Sequence, residues 1–481
     1  MCVCQLSSRS DRHCECGGGE RGGDCTWPAS SSIMKIPLNM KYFPHTSEDI
    51  RQMLDAIGVQ SLDGLYAEVP EELKLHRELN LPSSESEIEV RRIVQSLAEE
   101  NKRLVTFAGD GAYDHYTPSV IPYIASRSEF ATSYTPYQAE ISQGTLQYIF
   151  EYQTMMADLT GMDVSNASMY DGTTAVAEAM LMCVASAKKR NRVLISGTCR
   201  PEVIRVARTY ARFHGVDLVE VPAIEGCTDR AALSDLLAQD DVAGVIVAQP
   251  NYYGIIENFE GLADECHSHK ALLAIDSVAS TLAILRTPGE WGADIACGEA
   301  QSLGIPLSSG GPYIGYLCVK KALVRKMPGR LVGMTQDVDG KRAFALTLQA
   351  REQHIRREKA TSNICTAQGI MCLYVAAYLS LMGNKGLCEA NEYAYAGAHE
   401  LHRLLTESGK FQDVFPGQPF LNEFTLRYNA PGQLDTLRKR MAEAGYLCGV
   451  KAEGLENCLT IAVTEQRSEK EIVEFAQIAT I

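Results

Sequence analysis

The sequence predicts an α/β protein with a mainly parallel central sheet and a smaller α+β domain at its C-terminal end. Short apolar segments such as VLIS at 193–196 and ALLAID at 271–276 alternate with helical stretches. This alternation is typical of a parallel sheet covered by helices on both faces. After about residue 400 the pattern changes to an α+β type. Because 481 residues are too many for one compact core, we expect two domains with terminal additions.

Composition and charge narrow the class of protein. The chain is 46% hydrophobic and 22% charged, as is typical of soluble globular proteins. A formal charge of −15 argues against binding to nucleic acid or anionic membranes, which requires clustered cations. The sequence contains no run of about twenty apolar residues, so no membrane span is predicted. The 16 cysteines include no CxxC pair, which indicates reduced thiols, a cytoplasmic location and no metal site.

The N-terminal part divides into two predicted segments. Residues 1–39 show no helical or strand pattern, and we expect a disordered or artefactual extension, with Met34 and Met40 as alternative starts. This extension lacks the apolar region of a secretory signal. Residues 40–103 are predicted to form a helical arm packed on the main domain, with one helix ending before Gly58 and another over 85–102.

Residues 104–345 are predicted to form the large α/β domain. Its first part is dense in polar and aromatic side chains between 104 and 150, and such loops often build sites, although plain surface loops are equally consistent with this composition. A helix over 144–159 is followed by one that Asp171 opens, together with Gly172 and Thr173. The N–H groups of that helix end suit a phosphate, while a simple N-cap is the more frequent role.

Strands and helices then alternate up to the loop 298–316. We expect strands at 193–196, 216–221, 242–250, 271–276 and 293–297, with helices at 203–213, 231–238 and 262–269 between them. Ligands bind at the carboxyl ends of such strands. Asp276 lies at one such end, where an aspartate would hold the pyridinium proton of pyridoxal phosphate or simply cap a loop.

The loop 298–316 lacks a residue that pyridoxal-phosphate chemistry requires. Such an enzyme needs a lysine to form the Schiff base with the cofactor, yet the middle of the loop reads Ala300-Gln301-Ser302. Gln301 cannot form an imine. Its neighbourhood is otherwise rich in small residues that allow a close approach of the backbone.

Residues 346–481 are predicted to form the C-terminal domain. Its elements are a helix ending at Ser408, strands at 424–428 and 459–463, a helix at 434–444 and a last helix from Ser468. The charge run 351–359 indicates the exposed face of a helix. In the large domain, Cys266, His267 and His269 lie on different faces of a helix, so we expect solvated side chains and no metal.

Four long segments carry a resemblance to a known family. TPYQAEISQG at 135–144, YQTMMADLTGMD at 152–163, NASMYDGTTAVAEA at 166–179 and REQHIRREKATSNICTAQ at 351–368 resemble the glycine decarboxylase P-protein of the glycine cleavage system. Within it, the chain resembles subunit 1, the α chain of the split form, from about Met40 to Ile481. The resemblance implies a fold type I pyridoxal-phosphate architecture, similar to aspartate aminotransferase.

The resemblance also implies a division of labour between two chains. The enzyme decarboxylates glycine and transfers the aminomethyl group to the lipoyl group of the H-protein. A β subunit would hold pyridoxal phosphate, in a heterotetramer with two of each chain. This chain would keep a degenerate pocket of Asp171, Gly172, Thr173, Asp276 and Gln301, with Cys199-Arg200-Pro201 where a residue would stack on the cofactor ring. The residues expected to wall the active site at the interface are Tyr113, His115, Tyr116, Thr135, Tyr137, Gln138, Glu140, Ser142, Gln143 and Asn363.

Two alternatives remain open at the level of the sequence. The chain could be a self-sufficient pyridoxal-phosphate enzyme that uses Lys270, Lys320 or Lys359, although surface lysines are usually solvated. It could also be a scaffold or regulatory pseudoenzyme that contributes nothing to the active site.

Overall fold

A computed structural model describes residues 44–77, 79–360 and 362–481. The expectation for residues 1–39 therefore lies outside the described residues. The chain divides into two compact units, one ending at Gln95 and the other comprising Ser96–Ile481. The helices are α1 (Ser47–Ile57), α2 (Glu87–Glu99), α3 (Val120–Ala125), α4 (Gln143–Thr160), α5 (Gly172–Ser186), α6 (Pro201–His214), α7 (Arg230–Leu237), α8 (Leu262–Ser268), α9 (Gln353–Arg356), α10 (Gly369–Glu407), α11 (Leu434–Glu443) and α12 (Glu469–Ala479).

The strands group into one large sheet, one C-terminal sheet and three short pairs. They are β1 (Val105–Thr106), β2 (Val164–Ser165), β3 (Arg192–Ser196), β4 (Asp217–Val221), β5 (Ala223–Ile224), β6 (Cys227–Thr228), β7 (Val242–Ala248), β8 (Leu272–Asp276), β9 (Ile295–Glu299), β10 (Gly315–Val319), β11 (Leu331–Gln336), β12 (Arg342–Thr347), β13 (Phe411–Asp413), β14 (Glu423–Tyr428), β15 (Tyr446–Leu447), β16 (Val450–Lys451) and β17 (Cys458–Ala462).

The large sheet has seven strands in the order β2-β10-β9-β8-β7-β3-β4. Strands β4, β3, β7, β8 and β9 are parallel, whereas β10 runs antiparallel to β9 and β2 antiparallel to β10. Every residue of β7 and β9 is buried, because helices cover both faces of the sheet. The predicted parallel α/β domain is confirmed, and the carboxyl ends of its strands define one edge where ligands bind in such folds.

Helix α10 contributes to two apolar cores of the second unit. Gly383 interrupts its regular geometry. The part before this kink packs in one apolar core with α4, and the part after it contributes Leu401 and Leu405 to the core of the C-terminal sheet. By length and composition α10 is the one described helix that could cross a membrane, but core helices pass the same test.

The predicted elements of the C-terminal domain are confirmed with small changes of bounds. Strands β14 and β17 pair antiparallel in the sheet β13-β14-β17-β16, and Ser468 caps α12 through its side chain. The short strand β1 pairs with β15. Residues of the 104–107 segment therefore belong to the C-terminal sheet region, a pairing between positions more than 300 residues apart.

Two predictions from local sequence are wrong in part. The charge run 351–359 is exposed from 353 to 359, as expected, but it is not one helix: α9 is flanked by short 3-10 turns. The Arg351 guanidinium donates to the carbonyls of Met327 and Gly329. The side chains on α8 are not all solvated: Cys266 is buried, and His267 Nε2 lies 2.8 Å from Asp294 Oδ2. In both cases backbone and side-chain partners far away in sequence decide the environment.

Candidate functional site

The candidate site lies at the carboxyl edge of the parallel strands. Asp276 ends β8 and Glu299 ends β9, while Arg200 follows β3 as the N-cap of α6. Helix α5 points its N-terminus at Glu299. These side chains are buried or nearly so. Strands β8 and β9 are neighbours and β3 lies two strands from β8, so their carboxyl ends bring residues far apart in sequence into one cluster.

The N-terminus of α5 is capped by its own residues. Asp171 accepts from the Thr174 N–H at 2.8 Å and from the Thr173 hydroxyl at 2.6 Å. The Gly172 N–H donates to Glu299 Oε2 at 2.9 Å. A helix N-terminus attracts anions, and in this chain the anion at that end is the Glu299 carboxylate.

Asp276 has a cation of the same chain beside it. Arg200 Nη2 lies 3.6 Å from Asp276 Oδ2, and both side chains are buried. Burial raises the pKa of Asp276 to about 6, against the opposing effect of the Arg200 guanidinium. A buried carboxylate requires such a partner. The cation beside Asp276 is therefore a side chain of the protein itself.

Gln301, where the sequence predicts that the cofactor lysine is missing, is fully hydrogen-bonded. Its Oε1 accepts from the Tyr113 N–H at 2.9 Å, and its Nε2 donates to the carbonyls of Tyr113 at 3.0 Å and Ile305 at 2.6 Å. Its own N–H donates to Glu299 Oε1 at 3.0 Å. The residue is 1% exposed, so the amide is part of the packed interior.

Four carboxyl groups interact electrostatically with Arg200: those of Asp276, Glu299 and Glu423 are buried and that of Asp110 is partly buried. Burial raises the pKa of Glu299 and of Glu423 to about 7 and that of Asp110 to about 6. The Arg200 guanidinium lowers the pKa of each of these groups and of Asp276. One cation thus offsets the desolvation of several carboxylates, so the cluster depends strongly on it.

Glu178 on α5 is a separate buried carboxyl group that gives a pH-dependent prediction. Burial raises its pKa from 4.5 to about 7, against an opposing hydrogen bond from Ser362. Below pH 4.5 both states are protonated; between 4.5 and 7 the unfolded chain loses the proton first, so stability falls as pH rises. The free energy of unfolding of Glu178→Gln minus that of wild type is therefore expected to rise by on the order of 2 kcal/mol from pH 5 to pH 8.

Urea unfolding at the two pH values measures this gain. The control is Glu443→Gln, which changes an exposed carboxylate of α11. An equal pH dependence in Glu178→Gln and wild type would contradict the prediction.

The residues expected to wall an interface fall into two groups. Some are held inside this chain: Tyr113, His115 and Ser142 are buried, and Gln143 pairs through Oε1 and Nε2 with the backbone of Phe344 at 2.8 Å each. Others are available at the surface. The exposed members are Tyr116, Tyr137, Gln138, Glu140 and Asn363.

Thr135 belongs to a cavity of about 270 Å³. Loop residues 133–136, the start of α4 and residues 366–370 line it together with Arg330. Arg330 is 5% exposed and donates to the Tyr137 hydroxyl at 2.9 Å and to the carbonyl of Cys365. This cavity brings the predicted segments 135–144 and 351–368 together.

Sequence reasoning missed three members of the cluster. Glu299 and Glu423 were not predicted as site residues, nor was the third carboxyl group, Asp110. Arg200 was noted only because it has no ring to stack on a cofactor. A usable signal for Glu299 is a charged residue at the end of a fully apolar strand, where a carboxylate must find a partner. Glu423 offers no such signal, because its partner loop lies more than 300 residues away.

Comparison with solved structures defines the class of protein. A crystal structure of glycine decarboxylase (P-protein) of the glycine cleavage system, in inhibitor-bound form, matches with a TM-score of 0.84 and 40% identity, covering 92% of this chain and 99% of that chain. Glutamate decarboxylase of Lactobacillus brevis matches with a TM-score of 0.62 at 14% identity, covering 85% and 95%. The fold is that of the fold type I pyridoxal-phosphate enzymes.

Comparison of sequences defines the family. The model of the glycine cleavage system P-protein matches residues 40–479. Proteins named probable glycine dehydrogenase (decarboxylating) subunit 1 from Anoxybacillus flavithermus and Moorella thermoacetica are 46% and 47% identical over 439 residues, 90% of this chain and 97% of each relative. The chain belongs to the glycine cleavage system P-protein family, and the resemblance identified from its sequence is confirmed.

The residues of this chain do not fit pyridoxal phosphate. Gln301 has no amine for an imine, and its amide atoms are already paired. Glu299 occupies the helix N-terminus that would bind the phosphate and would repel it. Arg200 stands beside the aspartate that would pair with the pyridinium nitrogen. The groups that would hold the three polar parts of the cofactor are thus absent or already engaged by side chains of this chain.

Two of the alternative lysines lie at the opposite edge of the sheet. Lys270 precedes β8, and Lys320 follows β10, which runs antiparallel to β9. Lys320 Nζ donates to the Gly292 carbonyl at 2.8 Å and lies 3.2 Å from Asp294 Oδ1. Both therefore lie at the amino ends of the parallel strands, away from Asp276.

Proposed function

We propose that this chain is the subunit of glycine decarboxylase that does not hold the cofactor, and that it acts only with a pyridoxal-phosphate-bearing β subunit. The observation that carries the proposal is the cluster of Arg200, Glu299 and Gln301. Arg200 lies 3.6 Å from Asp276, Glu299 accepts from the Gly172 N–H, and Gln301 is hydrogen-bonded to Tyr113 and Ile305. A fold type I chain with such a pocket has no means of tethering a coenzyme. The names of its relatives as subunit 1 support the existence of a second chain.

The contribution of this chain is a wall of the partner's active site. Its exposed polar residues Tyr137, Gln138 and Glu140 lie together at the start of α4, beside the 270 Å³ cavity. Arg330 fixes Tyr137 through a hydrogen bond and lies 5.3 Å from its ring. In this proposal the surface orients glycine, excludes water and borders the path of the lipoyl arm of the H-protein. The assembly is a cytoplasmic heterotetramer with two chains of each kind.

Mixing the purified chains tests the proposal. The β subunit alone is expected to release little CO2 from glycine in the presence of H-protein, and addition of this chain is expected to restore release up to a 1:1 ratio. Equal CO2 release with and without this chain would contradict the proposal.

Variants at the exposed wall separate this function from that of a scaffold. We expect the effects of Tyr137→Ala, Gln138→Ala and Glu140→Ala, taken together, to lower kcat by tenfold or more while the complex still forms. Each variant removes a positioned contact at the reacting centre. Size-exclusion chromatography measures assembly, and CO2 release measures turnover. Glu443→Ala, on exposed α11, serves as the control. Unchanged turnover in all three variants would favour the scaffold alternative.

A further inference from the structure

The side chain of Gln301 attaches the 108–116 loop to the pocket around Asp276, Glu299 and Gln301, here called the former cofactor pocket. It does so by hydrogen bonds like those of a neighbouring β-strand. Gln301 bonds both the N–H and the carbonyl of Tyr113, as a neighbouring strand would. The two residues are 188 positions apart. The same two-point pairing occurs between Gln153 and Val332, with an N–H donor at 2.9 Å and a carbonyl acceptor at 3.0 Å.

The chemistry of the amide explains why glutamine suits position 301. A lysine has three donors and no acceptor, so it would leave the buried Tyr113 N–H unpaired. An ionised glutamate accepts only and would face the carbonyls of Tyr113 and Ile305. Glutamine supplies one acceptor and two donors, and each has a partner. The side chain at 301 is therefore matched to a peptide group.

The rest of the loop is fixed by the same cluster and by the C-terminal domain. Glu423 accepts from the Asp110 N–H and from the Tyr113 hydroxyl at 2.7 Å each. Gly111 has a φ of 98°, and a Cβ there would lie 2.0 Å from Arg200 Nη1. The loop backbone thus packs directly on the guanidinium, where a side chain would not fit.

The far end of the loop reaches the surface. Glu465 accepts from the Tyr116 N–H at 2.7 Å, and His115 Nδ1 lies 2.6 Å from the other oxygen of Glu465. The Tyr116 side chain is 58% exposed. One half of the loop is therefore held in the pocket, and the other half presents an aromatic ring outward.

We infer that the former cofactor pocket is an anchoring site for the 108–116 loop, with Gln301 as its positioning residue, and that the anchored loop presents Tyr116 to the cofactor-bearing subunit. The last part rests on the proposed function. The anchoring itself does not, because it concerns contacts within this chain alone.

Hydrogen exchange of the full-length chain tests the anchoring. In Gln301→Leu the amides of residues 110–116 are expected to exchange at least about tenfold faster than in wild type, because both backbone bonds are lost. Gln153→Leu removes the same pair of bonds elsewhere and is the matched control; its 108–116 loop is expected to exchange as in wild type. Gln301→Glu keeps the acceptor and is expected to give an intermediate rate. Unchanged exchange in both Gln301 variants, or equal acceleration in Gln153→Leu, would overturn the inference.

Titration of the β subunit tests the presentation of Tyr116. We expect Gln301→Leu and Tyr116→Ala to require at least about fivefold more of this chain than wild type for half-maximal CO2 release. An unchanged titration midpoint in a Gln301→Leu chain with accelerated exchange would overturn this part alone. Failure of the wild-type chain to stimulate the β subunit would instead remove the proposed function and leave the exchange result standing.

Discussion

Replacement of Arg200 by methionine is expected to lower the free energy of unfolding by about 3–5 kcal/mol near pH 7.5. The guanidinium is buried, 3.6 Å from Asp276, and it also lowers the pKa values of Asp110, Glu299 and Glu423. Without it these carboxyl groups would be charged in the interior or would take up protons. The loss is therefore expected to shrink at pH 5, where Asp276 is protonated in the variant.

A surface arginine of the same helix provides the control. Arg205 on α6 bonds both oxygens of Glu453 at 2.8 Å, and both side chains are more than half exposed. Arg205→Met is expected to cost no more than about 1 kcal/mol. The double variant Arg200→Met/Asp276→Asn is expected to recover part of the stability, because it removes both charges. Equal losses in the two single arginine variants would contradict the importance of the buried cation.

Replacement of Gly298 by alanine is expected to destabilise the chain by about 3 kcal/mol or more. Gly298 lies in β9, next to Glu299 of the candidate site, and has a φ of 143°. A Cβ there would lie 2.1 Å from the Ser277 carbonyl oxygen and 2.9 Å from Asp276 Oδ1. Because these atoms belong to a buried strand end, the backbone would have to move.

Gly310 separates the steric effect from the backbone effect. Its φ is also positive, at 114°, but no atom lies within 4 Å of a Cβ at that position. Gly310→Ala is expected to cost about 1–2 kcal/mol from its backbone conformation alone. Chemical denaturation of the two variants gives the comparison. A difference below about 0.5 kcal/mol between them would show that β9 can shift without cost.

Periodicity and capping residues were sufficient to predict the elements that depend on local sequence. The strands before Asp276 and Gln301 and the helix that Asp171 caps lie where the sequence places them. The β10 strand and the hairpin of β11 and β12 were not predicted. The Asp339-Gly340 turn is a local signal for the hairpin that was not used for the prediction. Its attachment to α4, through Phe344 with Gln143 and Val332 with Gln153, depends on distant partners that no local pattern indicates.

The loss of the lysine from the candidate site could be predicted from the sequence, but the side-chain contacts that fill the site could not. The absence of a lysine at 301 is visible in the sequence, and so is the aspartate at the end of β8. That Gln301 pairs with Tyr113 depends on how the 108–116 loop packs against the end of β9, 188 positions away in sequence. The place of Glu299 at the α5 N-terminus is likewise decided by the adjacency of α5 and β9. Contacts of this kind require the three-dimensional arrangement.

The central claim is that this chain has no covalent or electrostatic place for pyridoxal phosphate. The most direct measurement is to incubate the purified chain alone with pyridoxal phosphate, reduce it with borohydride and search its peptides for a cofactor-labelled lysine by mass spectrometry. The β subunit treated in the same way is the positive control. The account predicts a labelled lysine in the β subunit and none above background in this chain. A stoichiometric label on any lysine of this chain would contradict it.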